Sequence, residues 1–132
     1  MKGTIEHVGI NVSGPPVAAF YQEMLGYFEW NVVAEGEGWS GLTDGHVSMW
    51  ITPPQAESEY NRDAVGLNHL GLHVDTVADV DKFTAEFLKP HGVEPILDSP
   101  RVLPGSESRP GIYYQVLFTD PDGQLIEVFH SE

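Results

Sequence analysis

Two segments of this chain are near copies of each other, and each carries one histidine. Glu6-His7-Val8-Gly9-Ile10-Asn11-Val12 reads against Asn68-His69-Leu70-Gly71-Leu72-His73-Val74. Downstream, Val17, Phe20, Tyr21, Met24 and Leu25 answer to Val80, Phe83, Thr84, Phe87 and Leu88, and Leu42 to Met49 resembles Phe118 to Glu127. A repeat of this length is one structural unit built twice and packed on itself. Residues at matching positions of two paired units can converge in the cleft between them. His7 and His69 match, which makes them the place to look for chemistry.

Each copy reads as βαβββ. Residues 4–12 alternate as a strand does, with Ile5, His7, Gly9 and Asn11 on one face and Val8, Ile10 and Val12 on the other. Ser13-Gly14-Pro15-Pro16 starts a helix, with the serine as cap and prolines in the first turn. The stripe from Val17 to Leu25 forms one helical face, and Gly26 is placed to end it. Strands are expected over 28–34, 38–43 and 46–52, then a polar, proline-led linker over 54–65. The second copy gives a strand over 67–74, a helix from about Val77 to Leu88 stopped by Pro90, and strands over 94–97, 112–118 and 125–129. Asp120-Pro121-Asp122-Gly123 makes the last turn. The remaining strand does not stand apart from a long loop over 99–111, which is the candidate lid or specificity element.

Composition narrows the function. The chain's 132 residues fit one domain with a real core, and no apolar run approaches the roughly 18 residues of a membrane span. Without cysteine there are no disulfides or thiolate metal sites, and a cytoplasmic location is expected. Twenty Asp and Glu against six Lys and Arg leave a net charge of −14, which repels phosphate backbones and argues against nucleic-acid binding. Arg62, Arg101 and Arg109 lie in segments read as loops, where the bland reading of solvated side chains is favoured over contact with an anionic substrate.

Glu127 interrupts an apolar strand, Leu125-Ile126-Glu127-Val128-Phe129. A buried carboxylate needs a cation or a metal. Two repeat-matched histidines and this glutamate form a 2-His-1-carboxylate set suited to Fe(II), Mn(II), Zn(II) or Ni(II). His73 shares the face of His69 and is a candidate base or substrate contact. Tyr113 or Tyr114 is a candidate donor to a developing oxyanion, with Tyr114 preferred. The bland alternatives are core histidines and structural strand tyrosines.

The tandem units, the histidine of each first strand and the closing Asp120-Pro121-Asp122-Gly123-Gln124-Leu125-Ile126-Glu127 resemble the vicinal oxygen chelate superfamily, which includes glyoxalase I, extradiol dioxygenases and bleomycin-binding proteins. The resemblance implies an α+β fold, a single domain of two βαβββ modules (about 1–53 and 66–131) paired into an open, cup-shaped mixed sheet with the helices outside. It implies one divalent metal held by His7, His69 and Glu127, a small-molecule substrate chelated through two adjacent oxygens, and a homodimer. Aligning residues 44–49 on residues 122–127 puts Met49 opposite Glu127, where glyoxalase I resembles its relatives in carrying Glu or Gln. Methionine is a poor ligand for hard ions, so a three-ligand site is expected, serving lyase, isomerase or ring-cleaving dioxygenase chemistry. The rival is a metal-free binding protein whose cleft is lined by Trp30, Trp39 and Trp50.

Overall fold

The computed structural model describes residues 1–132, which divide into two units, Met1–Glu59 and Tyr60–Glu132. Unit 1 contains β1 (His7–Asn11), α1 (Pro15–Tyr27), β2 (Asn31–Gly36), β3 (Trp39–Thr43) and β4 (Ser48–Thr52). Unit 2 contains β5 (His69–His73), α2 (Val77–Phe83, continued by a wider turn over Thr84–Leu88), β6 (Ile96–Val102), β7 (Tyr113–Thr119) and β8 (Leu125–Ser131). Each unit has one four-stranded mixed sheet. The strand orders are β1-β4-β3-β2 and β5-β8-β7-β6, with the first and last strands of each unit parallel neighbours. Both βαβββ modules are therefore present. No helix is long and apolar enough to cross a membrane.

In each unit one sheet face packs on the helix. Val17, Phe20, Tyr21, Met24 and Leu25 of α1 are buried, as are Leu42, Met49 and Ile51 of the sheet. In unit 2, Phe83 lies near Phe118, with Val80, Leu88, Val116, Ile126 and Val128 fully buried. The other face is open in the first strands, where burial alternates along β1 and β5 and leaves His7, Gly9, His69 and Gly71 exposed.

Several boundaries differ from the sequence expectation for local reasons. The cap of α1 is Gly14, whose carbonyl accepts from Val17 and Ala18, with the two prolines at the first helical positions. Gly26 does not end the helix. Glu29 N–H donates to Gly26 and Trp30 N–H to Leu25, and Glu29 takes the left-handed φ of 64°. That pattern is a Schellman ending, normally closed by glycine. α2 ends the same way with Gly92 (φ 68°) in the corresponding place. Pro90 has no N–H for Glu86, and Lys89 N–H instead reaches back to Thr84, widening the helix there.

The strand that the sequence left inside a loop is the second half of β6. Its ladder with β7 breaks between Ile96 and Arg101, where Leu97 and Asp98 both have φ of 55°. Ser99 fills the gap: its hydroxyl accepts from Leu117 N–H at 2.8 Å and donates to the Ile96 carbonyl at 2.6 Å. Arg101 thus belongs to a strand rather than a loop. The second half of the expected linker belongs to unit 2, because the Tyr60 hydroxyl donates to the carbonyls of Leu67 and Asn68 and accepts from the Gln124 amide.

Candidate metal-binding pair

The site is built on the open face of unit 2. Parallel pairing of β5 and β8 sets Gly71 beside Glu127, with His69 one pleat along on the same face. A Cβ on Gly71 would press on the Phe129 ring at 3.2 Å and stand in ordinary contact with Glu127 Oε2 at 3.6 Å, so the glycine leaves room for Phe129. Glu127 Oε2 lies 3.5 Å from His69 Nε2; the glutamate side chain is 7% exposed and the histidine 44%.

The hydrogen bonds decide what faces what. Asn68 donates through its amide nitrogen to the Arg62 carbonyl, which leaves its Oδ1 2.7 Å from His69 Nδ1. An amide oxygen only accepts, so Nδ1 carries a proton, and the neutral form of the ring has its lone pair at Nε2. In that form a lone pair and a carboxylate oxygen face each other with no donor between them. Such an arrangement calls for a proton or a cation in the gap. Donors about 2.1 Å from a tetrahedral ion are about 3.4 Å apart, so the 3.5 Å separation suits a shared divalent ion.

The other carboxylate oxygen, Oε1, accepts from the Tyr113 hydroxyl at 2.8 Å. Burial, followed by this hydrogen bond and the negative charge, pushes the Tyr113 phenol well above the ordinary tyrosine range. It therefore stays a donor at neutral pH. The Tyr113 ring stacks on Phe129, centroids 5.0 Å apart, and His73 meets Phe129 edge-on at 5.4 Å.

Tyr114 points the other way. Strand alternation puts it on the helix face, where its hydroxyl donates to Asp81 of α2 at 2.8 Å. Burial and then that hydrogen bond push its phenol up to about 12. The tyrosine at the carboxylate is Tyr113, and the preference for Tyr114 is corrected accordingly. His73 is on the site face and exposed, its Nε2 3.4 Å from the Ser131 carbonyl oxygen.

His7 occupies in unit 1 the position of His69 in unit 2. Its Nδ1 lies 2.7 Å from Glu6 Oε2, so the residue preceding each histidine accepts a hydrogen bond from Nδ1–H and turns Nε2 outward. No group of three His, Asp or Glu side chains that could hold a metal ion is present; the described site is the His69–Glu127 pair.

The expected register of β4 is wrong by one residue. β1 pairs His7 with Ser48 and Gly9 with Trp50, whereas β5 pairs His69 with Leu125 and Gly71 with Glu127. Trp50 is the counterpart of Glu127, and Met49 faces the core. The shift originates in the turn before each last strand. Asp44 Oδ1 accepts from the backbone of His46 and Val47, just as Asp120 Oδ1 accepts from Asp122 and Gln124. Asp120, not Asp122, corresponds to Asp44, and the second turn is one residue longer. These backbone donors, Val47 first, also hold the Asp44 carboxyl below its ordinary range.

The chain matches the model of the Glyoxalase/Bleomycin resistance protein/Dioxygenase superfamily over residues 4–128. It belongs to that superfamily. A Bacillus subtilis (strain 168) protein named uncharacterized protein YqjT is 29% identical over 109 residues, 83% of this chain and 81% of that one. Among solved structures, a candidate glyoxalase from Bacillus halodurans superposes with a TM-score of 0.84 at 22% identity, over 98% of this chain and 96% of the other. Lactoylglutathione lyase from Agrobacterium tumefaciens does so with a TM-score of 0.70 at 20% identity, over 98% and 95%. Likenesses at this identity carry the fold; the chemistry rests on the residues.

Proposed function

We propose that this superfamily member is a divalent-metal-dependent enzyme acting on a small molecule, with His69 and Glu127 as protein ligands and His7 the third ligand that the family resemblance implies. The observation that carries the reading is His69 Nε2, its Nδ1 already engaged by Asn68, set 3.5 Å from a buried carboxylate oxygen. Bound there, a divalent ion supplies Lewis acidity to two adjacent substrate oxygens, the chemistry shared by lyase, isomerase and ring-cleaving dioxygenase reactions. The chain's own residues do the rest. Asn68 and Glu6 fix the histidine tautomers, Tyr113 holds one carboxylate oxygen, and His73 is the exposed base on the site face.

A metal-free binding role has one observation in its favour. A Cβ on Gly36 would lie 2.2 Å from the Trp39 ring, and one on Gly41 would lie 2.7 Å from the Trp50 ring, so two indoles lie against glycines on the face that carries His7. Such rings suit stacking on a planar ligand. Calorimetric titration with Mn(II) and Zn(II) separates the readings. His7→Ala, His69→Ala and Glu127→Ala are each expected to weaken binding tenfold to a hundredfold or more. Wild-type protein that binds neither ion at neutral pH would leave the binding role.

A further inference from the structure

Glu127 has two oxygens, and the structure treats them differently. Oε2 faces His69, while Oε1 takes the Tyr113 hydroxyl at 2.8 Å. The phenol is held in place by more than this bond. Its ring is stacked on Phe129 with 5° between the planes, Phe129 lies against the Cα of Gly71, and Tyr113 comes from β7, a different strand from Glu127. The carboxylate is therefore held at the oxygen that does not face His69. A carboxylate with both oxygens free can chelate one ion through both and consume an extra coordination position. A fixed hydrogen-bond donor on one oxygen draws its charge and orientation away from the ion and so favours ligation through the other.

We propose that Tyr113 is a positioning residue that makes Glu127 a one-oxygen ligand and keeps a coordination position open for a substrate bound through two oxygens. This rests on the metal reading of His69 and Glu127 and adds to it how the carboxylate is presented. Nothing is transferred: the phenol keeps its proton and acts only through the carboxylate it holds.

The test is Tyr113→Phe, which removes the hydroxyl and keeps the ring on Phe129, with circular dichroism to check the fold. Tyr114→Phe on the helix face serves as control. Cobalt(II) is the probe, followed by calorimetry, visible absorption and the infrared splitting between asymmetric and symmetric carboxylate stretches, with isotopically labelled glutamate. In wild type the splitting of the coordinated carboxylate should be that of one-oxygen ligation. In Tyr113→Phe it should narrow toward two-oxygen chelation, the cobalt visible band should weaken as coordination number rises, and affinity should change by less than about tenfold. Tyr114→Phe should match wild type throughout. Two-oxygen ligation in wild type overturns the proposal, as does a Tyr113→Phe spectrum identical to wild type when His69→Ala and Glu127→Ala lose cobalt. If His69→Ala and Glu127→Ala bind cobalt like wild type, the metal reading itself falls and takes this proposal with it.

Discussion

At the residue scale, the two adjacent tyrosines of β7 show how a single step along a strand divides structure from function. Tyr113 reaches the carboxylate of the site, and Tyr114 reaches Asp81 on the helix face. The sequence carried the alternation that separates them, since Tyr113 is in phase with Leu117, the partner of Glu127 across the ladder. The preference for Tyr114 ignored that phase. Tyr114 also has a testable pH signature. Its phenol is raised to about 12 in the fold, so its contribution to stability is complete below about pH 10 and is lost as pH rises toward 12. Tyr114→Phe should cost about 1 kcal/mol or less at pH 8, because the group is partly screened by solvent. Between pH 10 and 12 the melting temperature of wild type should fall more steeply than that of the variant. Parallel curves would mean that the Asp81 contact does not hold the phenol protonated.

At the scale of the element, the two modules serve as each other's control. Both helices end in the same Schellman pattern, but α2 closes on Gly92 and α1 on Glu29. A non-glycine residue in the left-handed region costs about 1–2 kcal/mol, partly offset by the flexibility that glycine adds to the unfolded chain. Glu29→Gly should therefore stabilise the protein by about 0.5–1 kcal/mol, read as a higher midpoint in urea at unchanged slope. An unchanged or lower midpoint would show that the Glu29 side chain makes a compensating contact. The helical faces and most strands were legible because 3.6-residue and two-residue periodicities leave distinct patterns. β6 was not legible past Leu97, because its ladder is interrupted and Ser99, a side chain, supplies the missing acceptor and donor. The register of β4 was misread for a related reason. Turns of different length preserve the Asx hydrogen bonds at Asp44 and Asp120 while shifting everything after them by one residue.

At the scale of the whole molecule, the repeat made the architecture and the two histidines legible. The chemistry was legible only in part. A histidine in each first strand and a glutamate in the last could be picked out from the sequence, but the residues that orient them could not. Asn68 and Glu6 precede their histidines and look like ordinary polar residues until their oxygens are seen facing Nδ1. A net charge of −14 adds a general attraction for cations without choosing among them. The proposed metal site rests on the Nε2 and the carboxylate oxygen that face each other in unit 2. Anomalous diffraction from crystals grown with Zn(II) or Mn(II) tests that claim most directly. One strong peak is expected within bonding distance, about 2.0–2.2 Å, of both His69 Nε2 and Glu127 Oε2, with Oε1 still bound by Tyr113. Crystals with metal bound elsewhere, and His69 protonated at Nε2 and donating straight to Glu127, would contradict it.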